Sequence, residues 1–277
     1  MMESLCPCCI PAYFLFQLFG VSLTLYFSIR FLTRNNTNAL WKWIVLSFHT
    51  LFFVVMTITL GLHASNDARA FIFARIYFLI ANLDIVDPVR QDLLSGLYGR
   101  ILEIGPGPGA NFKYFINNTA ITEWVGVEPN TYFQQKQTEI IDELNLTFKT
   151  STVWMKGESK MLDVEPESFD YVVGTHVLCS VDDVADVLTQ VKRALKPSGQ
   201  YKFYEHVLTD SDDIIRWYQQ LFAPIFYYLG NGCKFRELWK DIDKHVSKEM
   251  LVEMDHLFAD GPIPVLRPHI VGSATKK

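Results

Sequence analysis

The segment Arg100-Ile-Leu-Glu103-Ile-Gly105-Pro-Gly107-Pro-Gly109 decides the fold of this chain. Residues 100–104 form a short apolar run, which is typical of a buried β-strand. The glycines that follow alternate with proline, and a turn needs glycine where φ is positive or where the backbone approaches a ligand closely. The segment therefore predicts a strand that ends in a ligand-binding turn, as in Rossmann-type domains.

Further strands and helices alternate from Tyr98 onward, which predicts a parallel sheet with helices on both faces. One predicted helix, residues 214–229, is rich in aromatic residues, and three roles are open for it: packing in the core, covering an apolar pocket or lying on a membrane. The predicted strands are residues 100–104, 124–127, 147–154, 169–174 and 201–204, with two further strands near 251–257 and 270–274. The predicted helices start near Asn111 and cover residues 131–144, 183–195 and, for the aromatic helix, 214–229.

The spacing of the glycines indicates which cofactor the turn binds. One residue separates Gly107 from Gly109, whereas the dinucleotide fingerprint has two residues between its last two glycines. The longer form receives a pyrophosphate at a helix N-terminus. The shorter turn suits the methionine and ribose portions of S-adenosylmethionine (SAM), which has no phosphate. Glu103 could meet the ammonium group of SAM directly or through water.

Two acidic residues support this interpretation. Glu128 ends the next predicted strand, where an acidic residue of a Rossmann-type site accepts hydrogen bonds from the ribose hydroxyls. Glu158 follows the third predicted strand and could address the adenine amino group, although the same residue alone could be a solvated loop carboxylate. The glycine turn, Glu128 and Glu158 together predict SAM as the cofactor.

Charge and cysteine content exclude several classes of function. The 277-residue chain has a net charge of -5 and no basic stripe, so we expect no nucleic-acid partner. Its five cysteines make a poor disulfide framework and indicate a reducing environment. The Cys6-Pro-Cys8-Cys9 sequence lacks a second ligand pair, so the sequence predicts no metal site. These N-terminal thiols are candidates for acylation or have no special role.

The first 66 residues are typical of a membrane anchor. Segment 10–32 contains only Arg30 as a charge, segment 43–62 contains none, and each is long enough to cross a bilayer as a helix. Two crossings, or one crossing with an interfacial helix, both fit. Residues 67–97 include a shorter apolar stretch that either lies in the membrane plane or closes the cofactor pocket. Residues 98–277 form the predicted catalytic domain.

The chain resembles class I SAM-dependent methyltransferases, and more closely the methyltransferase-like 7 family of membrane-bound alkyl thiol S-methyltransferases. The glycine segment carries the general resemblance, and four later blocks carry the narrower one. These are Thr175-His-Val-Leu-Cys-Ser-Val181, Glu205-His-Val207, Gly230-Asn-Gly-Cys233 and Pro268-His-Ile270. The chain departs from the family by Pro106 and Pro108 in the turn, by Glu128 in place of Asp and by His176 in place of an apolar residue.

The resemblance implies a Rossmann-like class I α/β sheet preceded by transmembrane or hairpin helices. It also implies SAM as donor and a small apolar acceptor, most simply an alkyl thiol. The expected location is the endoplasmic reticulum or lipid droplet, with membrane lipid as a partner and the catalytic domain facing the cytosol. The oligomeric state stays open. The cofactor-binding candidates are Glu103, Gly105, Gly107, Gly109, Glu128, Glu158 and Thr175.

The candidates for a catalytic residue are His206 and His176. Each follows a predicted strand at its carboxyl end, where open α/β sheets build their sites, and each could take the proton of an acceptor thiol or be structural. We interpret His269, Cys179 and Cys233 as structural. Two alternatives to thiol methylation are methylation of a quinone precursor or other lipid, and a non-catalytic membrane or lipid-droplet protein.

Overall fold

The computed structural model describes residues 65–81, 87–154, 164–260 and 263–277, with a few scattered positions between 43 and 55. It divides into two compact units, Met1–Ser65 and Asn66–Lys277. Apart from the scattered positions, the predicted segments 10–32 and 43–62 lie outside the described residues, as does Glu158. Among the helices that are described, none is long and apolar enough to cross a membrane.

In the part of the chain that the structure describes, seven strands form one sheet: β1 (Gly99–Ile104), β2 (Ile121–Glu128), β3 (Lys149–Trp154), β4 (Phe169–Thr175), β5 (Leu195–His206), β6 (Met250–Phe258) and β7 (Pro268–Lys276). Their order is β3-β2-β1-β4-β5-β7-β6. Strands β1 to β5 pair in parallel, whereas β7 runs antiparallel to both β5 and β6. The sheet is therefore mixed, and the prediction of a parallel sheet is wrong for β7. The physical reason is the short connection from β6, which suits an antiparallel pair and not a crossover.

Among the described residues six helices accompany the sheet: α1 (Asn66–Ala81), α2 (Pro88–Leu94), α3 (Gln134–Leu144), α4 (Val184–Ala194), α5 (Asp213–Leu229) and α6 (Leu238–Val246). An aspartate precedes α2, α4 and α5, and its carboxylate accepts two backbone N–H groups of the first turn in α2 and α5 and one in α4. Such caps satisfy donors that have no partner within the helix. These residues, Asp87, Asp183 and Asp212, therefore set where the three helices begin.

The helix predicted to begin near Asn111 does not form. The segment contains only a 3-10 turn, Phe112–Tyr114, before the chain turns into β2. Asn117 has a positive φ of 63°, and the Asn118 side chain donates to the Leu97 carbonyl and accepts from the Ala120 N–H. Local side-chain hydrogen bonds of this kind compete with helix formation, which explains why this prediction is wrong.

Two apolar cores lie on opposite faces of the sheet. Ile101 belongs to one core and its neighbours Leu102 and Ile104 to the other, because successive residues of a strand point to opposite faces. Helices α4 and α6 contribute to the core of Leu102, and α2 and α3 pack on the core of Ile101. Helices therefore cover both faces, as predicted. The polar groups described next gather at the carboxyl ends of β1, β2, β4 and β5.

Candidate active site

The glycine turn connects β1 to the 3-10 turn. Gly105 and Gly107 have positive φ values of 62° and 57°. A Cβ on Gly105 would lie 2.6 Å from Val177 Cγ2, so a side chain has no room there. A Cβ on Gly107 would approach no heavy atom closer than Phe133 Cε2, at 4.0 Å. Gly107 thus has free space on the side where a Cβ would lie.

Glu128 ends β2 directly opposite this turn. Its two carboxylate oxygens accept the backbone N–H groups of Gly107 and Asn130, each at 2.8 Å. Burial raises the pKa of Glu128 to about 7, against the lowering effect of these two hydrogen bonds. Because a carboxylate oxygen can accept more than one hydrogen bond, the fixed carboxylate keeps acceptor capacity for a further ligand.

Glu103 lies in the same edge of the sheet and is fully buried. Asn111 Nδ2 donates to one of its oxygens at 2.8 Å and Trp124 Nε1 to the other at 2.9 Å. Burial raises the pKa of Glu103 to about 7 despite both hydrogen bonds. The Asn111 amide also donates to Thr175 Oγ1 at 3.1 Å. One amide therefore joins Glu103 on β1 to Thr175 on β4.

Helix α1 contacts the residues that follow β2. The Asn130 side chain donates to the carbonyl of Ala70 at 2.9 Å, and the Phe133 ring meets the edges of aromatic rings on α1. These rings belong to Phe73, Tyr77 and Phe78. Phe133 is also the residue closest to the open side of Gly107. Helix α1 therefore lies next to the glycine turn, within the segment 67–97.

A chain of hydrogen bonds links this edge of the sheet to β7. The Arg90 guanidinium contacts Asn111 Oδ1 and His176 Nδ1, each at 3.2 Å, and His176 Nε2 lies 3.0 Å from His269 Nε2. Arg90 can only donate, so His176 Nδ1 accepts and its Nε2–H donates to His269. The Nδ1–H of His269 is then available for the Arg267 carbonyl, 2.9 Å away. All contacts of the chain are satisfied with both histidines neutral.

The electrostatics of the two histidines agree with that arrangement. Burial, together with the charge of Arg90, lowers the pKa of His176 well below its usual value. Burial also lowers the pKa of His269 to about 4. Both rings are therefore uncharged at neutral pH, and both nitrogens of His176 are already engaged.

His206, the other catalytic candidate, contacts two cysteines. Its Nε2 lies 3.4 Å from the sulfur of Cys179 and 3.4 Å from that of Cys233. The hydrogen bond from Cys233 lowers the pKa of Cys179 well below its usual value, against the effect of burial, and the charge of His206 lowers it further. Burial lowers the pKa of His206, but the Cys179 sulfur outweighs it and raises that pKa to about 9. Cys179 and Cys233 are buried, as expected, and they are free thiols.

The chain matches known methyltransferases. A family model described as "Methyltransferase domain" matches residues 102–203. Human thiol S-methyltransferase TMT1A is 31% identical over 245 residues, which cover 87% of this chain and 91% of TMT1A. The chain belongs to the thiol S-methyltransferase family of TMT1A and TMT1B. It is accordingly a class I methyltransferase with SAM as its cofactor, which confirms both the resemblance and the cofactor predicted from the sequence.

A second relative and a solved structure are also similar to this chain. Human thiol S-methyltransferase TMT1B is 34% identical over 190 residues, which cover 66% of this chain and 74% of TMT1B. The crystal structure of a putative sarcosine dimethylglycine methyltransferase from Galdieria sulphuraria superposes with a TM-score of 0.57 at 12% identity, covering 74% of this chain and 98% of that one. At this identity the superposition concerns the fold alone.

The structure brings most of the predicted site residues of this family member together. Gly107 and Glu128 are joined by a hydrogen bond, and Glu103 and Thr175 share Asn111. The sequence reasoning did not select Arg90, Asn111 or Asn130. Asn111 stands directly after the glycine turn, and this position could have marked it. Arg90 lies in a short helix that carries no motif, so no sequence signal indicated it.

Proposed function

We propose that this protein transfers the methyl group of SAM to the sulfur of a small apolar thiol. The observation that carries the donor side is the carboxylate of Glu128, held against Gly107 of the glycine turn at 2.8 Å. The acceptor class rests on the family, since TMT1A and TMT1B are both named thiol S-methyltransferases.

The residues around the turn fit SAM. Open space beside Gly107 allows a ligand to approach the backbone, and the spare lone pairs of Glu128 can accept the two ribose hydroxyls. Gly105 and Gly109 shape the turn, and Glu103 positions Asn111 and Thr175 beneath it. We assign the adenine amino group to Glu158 from its place in the sequence. Helix α1, which contacts Asn130 and Phe133, would close the pocket over the cofactor.

Bound SAM supplies a methyl group on a sulfonium sulfur. The task of the protein is to hold the acceptor sulfur in line with that methyl group, and such alignment can account for most of the rate gain. Aligned transfer needs no nucleophilic side chain of the enzyme. The acceptor thiol must lose its proton, because the thiolate is the stronger nucleophile.

We place the acceptor beside His206. This residue lies at the carboxyl end of β5, one ring away from His176, with 5.7 Å between the two ring centroids. His176 is the weaker candidate for proton transfer because both of its nitrogens are engaged. Its positive φ of 57° costs a non-glycine residue about 1 kcal/mol or more, which supports a positioning role between Arg90 and His269.

Calorimetry and a methylation assay on the full-length protein in detergent test the two halves of this proposal. We expect heat on titration with SAM, loss of that heat in Glu128→Ala, and methylation of a small alkyl thiol. A folded protein that gives no heat with SAM contradicts the donor site. Normal SAM binding with unmethylated thiols, while a lipid extract accepts the methyl group, would replace the thiol with a lipid acceptor.

We also propose that the protein acts at a membrane of the endoplasmic reticulum or lipid droplet, with the catalytic domain on the cytosolic side. The apolar segments 10–32 and 43–62 support this, as does α5. Most exposed residues of α5 are apolar, whereas its buried residue is the polar Gln219. The exposed polar residues of this helix are Asp213 and Gln220. Ile214 is 69% exposed and Trp217 57%. The other exposed apolar residues of α5 are Tyr218, Leu221, Phe222, Ile225 and Leu229.

A soluble surface rarely keeps such a continuous apolar strip, and tryptophan and tyrosine favour the membrane interface. Helix α5 therefore fits a bilayer surface. Flotation with liposomes tests this in a variant lacking residues 1–64: Leu221→Glu should reduce binding and Gln220→Glu, on the same helix, should not. Equal flotation of both variants contradicts the proposal for α5. Glycosylation of Asn145 in cells would contradict the cytosolic side.

A further inference from the structure

Three side chains that can bind a metal meet outside the glycine turn. Cys179 follows β4, His206 ends β5, and Cys233 follows α5. Their ligand atoms, two sulfurs and one imidazole nitrogen, all lie within 4.8 Å of one another. Residues far apart in the sequence thus converge on one point at the carboxyl edge of the sheet, although the sequence predicts no metal site.

The distances between these atoms fit a tetrahedral zinc centre. Zinc lies about 2.3 Å from a thiolate sulfur and about 2.0 Å from an imidazole nitrogen. In a tetrahedron these bond lengths place sulfur and nitrogen about 3.5 Å apart and two sulfurs about 3.8 Å apart. The observed separation of His206 Nε2 from each sulfur is 3.4 Å. The two sulfurs lie within 4.8 Å of each other, so they would approach by up to about 1 Å when zinc binds.

The three side chains also lie in a buried region. Both cysteines are buried, and both are free thiols. Two thiols and an imidazole that converge in such a place are a set that a divalent cation would stabilise, since the thiolate is the form that binds metals and thiolates suit zinc.

We propose that Cys179, His206 and Cys233 bind a zinc ion and that the acceptor thiol occupies its fourth position. Among the described residues, no fourth histidine, cysteine or carboxylate joins this group. Zinc sites with three protein ligands leave one position for water or substrate, and a sulfur substrate suits a metal already held by sulfur. The role of the fourth position rests on the function proposed above, whereas the metal site does not.

The chemistry balances without a further reactant. Zinc binding releases one proton from each cysteine thiol, and His206 binds through the neutral Nε2 lone pair. The S–H bond of the acceptor breaks when its sulfur binds to zinc, and that proton, like the two cysteine protons, passes to water. A sulfur lone pair then forms the bond to the methyl carbon while the carbon–sulfur bond of SAM breaks, and that electron pair stays on the departing sulfur. The methylated product is a neutral thioether, a weaker ligand, and leaves.

Metal analysis of the purified full-length protein tests the site. We expect about one zinc ion per chain in the wild type and little in Cys233→Ser or His206→Gln. The matched control replaces Cys6, Cys8 and Cys9 by serine, which removes three thiols but should leave the zinc content unchanged. Circular dichroism and SAM calorimetry show whether each variant is folded. A folded wild type that holds no zinc and takes up none from added zinc salt overturns the inference.

Cobalt in place of zinc reports on the fourth position. We expect the charge-transfer band of thiolate-bound Co²⁺ in the wild type, its loss in Cys233→Ser, and a change in the visible bands when a small alkyl thiol is added. If the visible bands stay constant at saturating thiol, the acceptor does not bind to the metal. That result would overturn the role of the fourth position but not the metal site itself. Thiol methylation by zinc-free protein would refute the inference but not the proposed function. A protein that binds zinc but does not methylate thiols would refute the proposed function but not the metal site.

Discussion

The exchange Glu128→Gln should change how the stability of the protein depends on pH. Burial raises the pKa of Glu128 from 4.5 to about 7. A carboxyl group whose pKa is higher in the folded state stabilises that state fully below its unfolded pKa, and this contribution is lost as the pH rises through the folded pKa. Glutamine does not titrate, so the variant should lack this pH dependence.

The magnitude follows from the two pKa values. Between pH 5 and pH 8, a shift from 4.5 to about 7 removes about 2.5 kcal/mol from the free energy of unfolding of the wild type. Glutamine has only one acceptor oxygen for the N–H groups of Gly107 and Asn130, which costs the variant about 1 to 3 kcal/mol at every pH. The variant should therefore be the less stable protein at pH 5, and the gap should close by about 2.5 kcal/mol at pH 8.

Urea unfolding of the full-length protein in detergent, without SAM and followed by circular dichroism, measures this difference. Glu103, whose pKa burial also raises, remains in both proteins, so its effect largely cancels. The control is Glu123→Gln on the same strand. Hydrogen bonds from Lys149 and Arg100 lower the pKa of Glu123, so its loss should shift the difference in the opposite direction. A gap for Glu128→Gln that stays constant from pH 5 to pH 8 would refute the reasoning.

Two glycine variants should separate folding from cofactor binding. In Gly105→Ala the new Cβ meets Val177, so the melting temperature should fall strongly. In Gly107→Ala only the positive φ is strained, by about 1 to 2 kcal/mol, so the main effect should be weaker SAM binding in calorimetry. Equal melting temperatures would contradict this assignment. Gln219→Leu should lower the free energy of unfolding by about 3 kcal/mol or more, because the Thr209 N–H and the Val207 and Val265 carbonyls lose their buried partner. An exposed neighbour, Gln220→Leu, is the matched control, and a similar loss in both would contradict the role of Gln219.

Much of the fold follows from local patterns in the sequence. Buried parallel strands are short apolar runs, and β1, β2 and β4 stand out in this way. The direction of β7 and its position between β5 and β6 cannot be predicted from local patterns, because strand order depends on contacts between distant segments. The prediction of a helix near Asn111 was wrong because the pattern of apolar residues contains no information about the hydrogen bonds of Asn118.

The residues of the SAM site could also be predicted from local sequence patterns. Glu103 and Glu128 each stand at a fixed place relative to a strand end, so their residue types and spacing marked them. The contacts of Arg90 with Asn111 and His176 arise from the packing of α2, and no spacing in the sequence encodes them. The convergence of Cys179, His206 and Cys233 is of the same kind, which is why the sequence indicated two structural cysteines and not one shared cluster.

The position of β7 has a consequence for how the protein folds. In the described sheet β6 pairs with β7 alone, so β6 reaches the sheet only through β7. Until β7 docks, β5 is an open edge, and open edges recruit strands from other molecules. The same docking step brings His269 to His176. Aggregation and assembly of the site should therefore compete at the docking of β7, and a β7 that docks poorly would reveal itself as insoluble protein before it appeared as a slow enzyme.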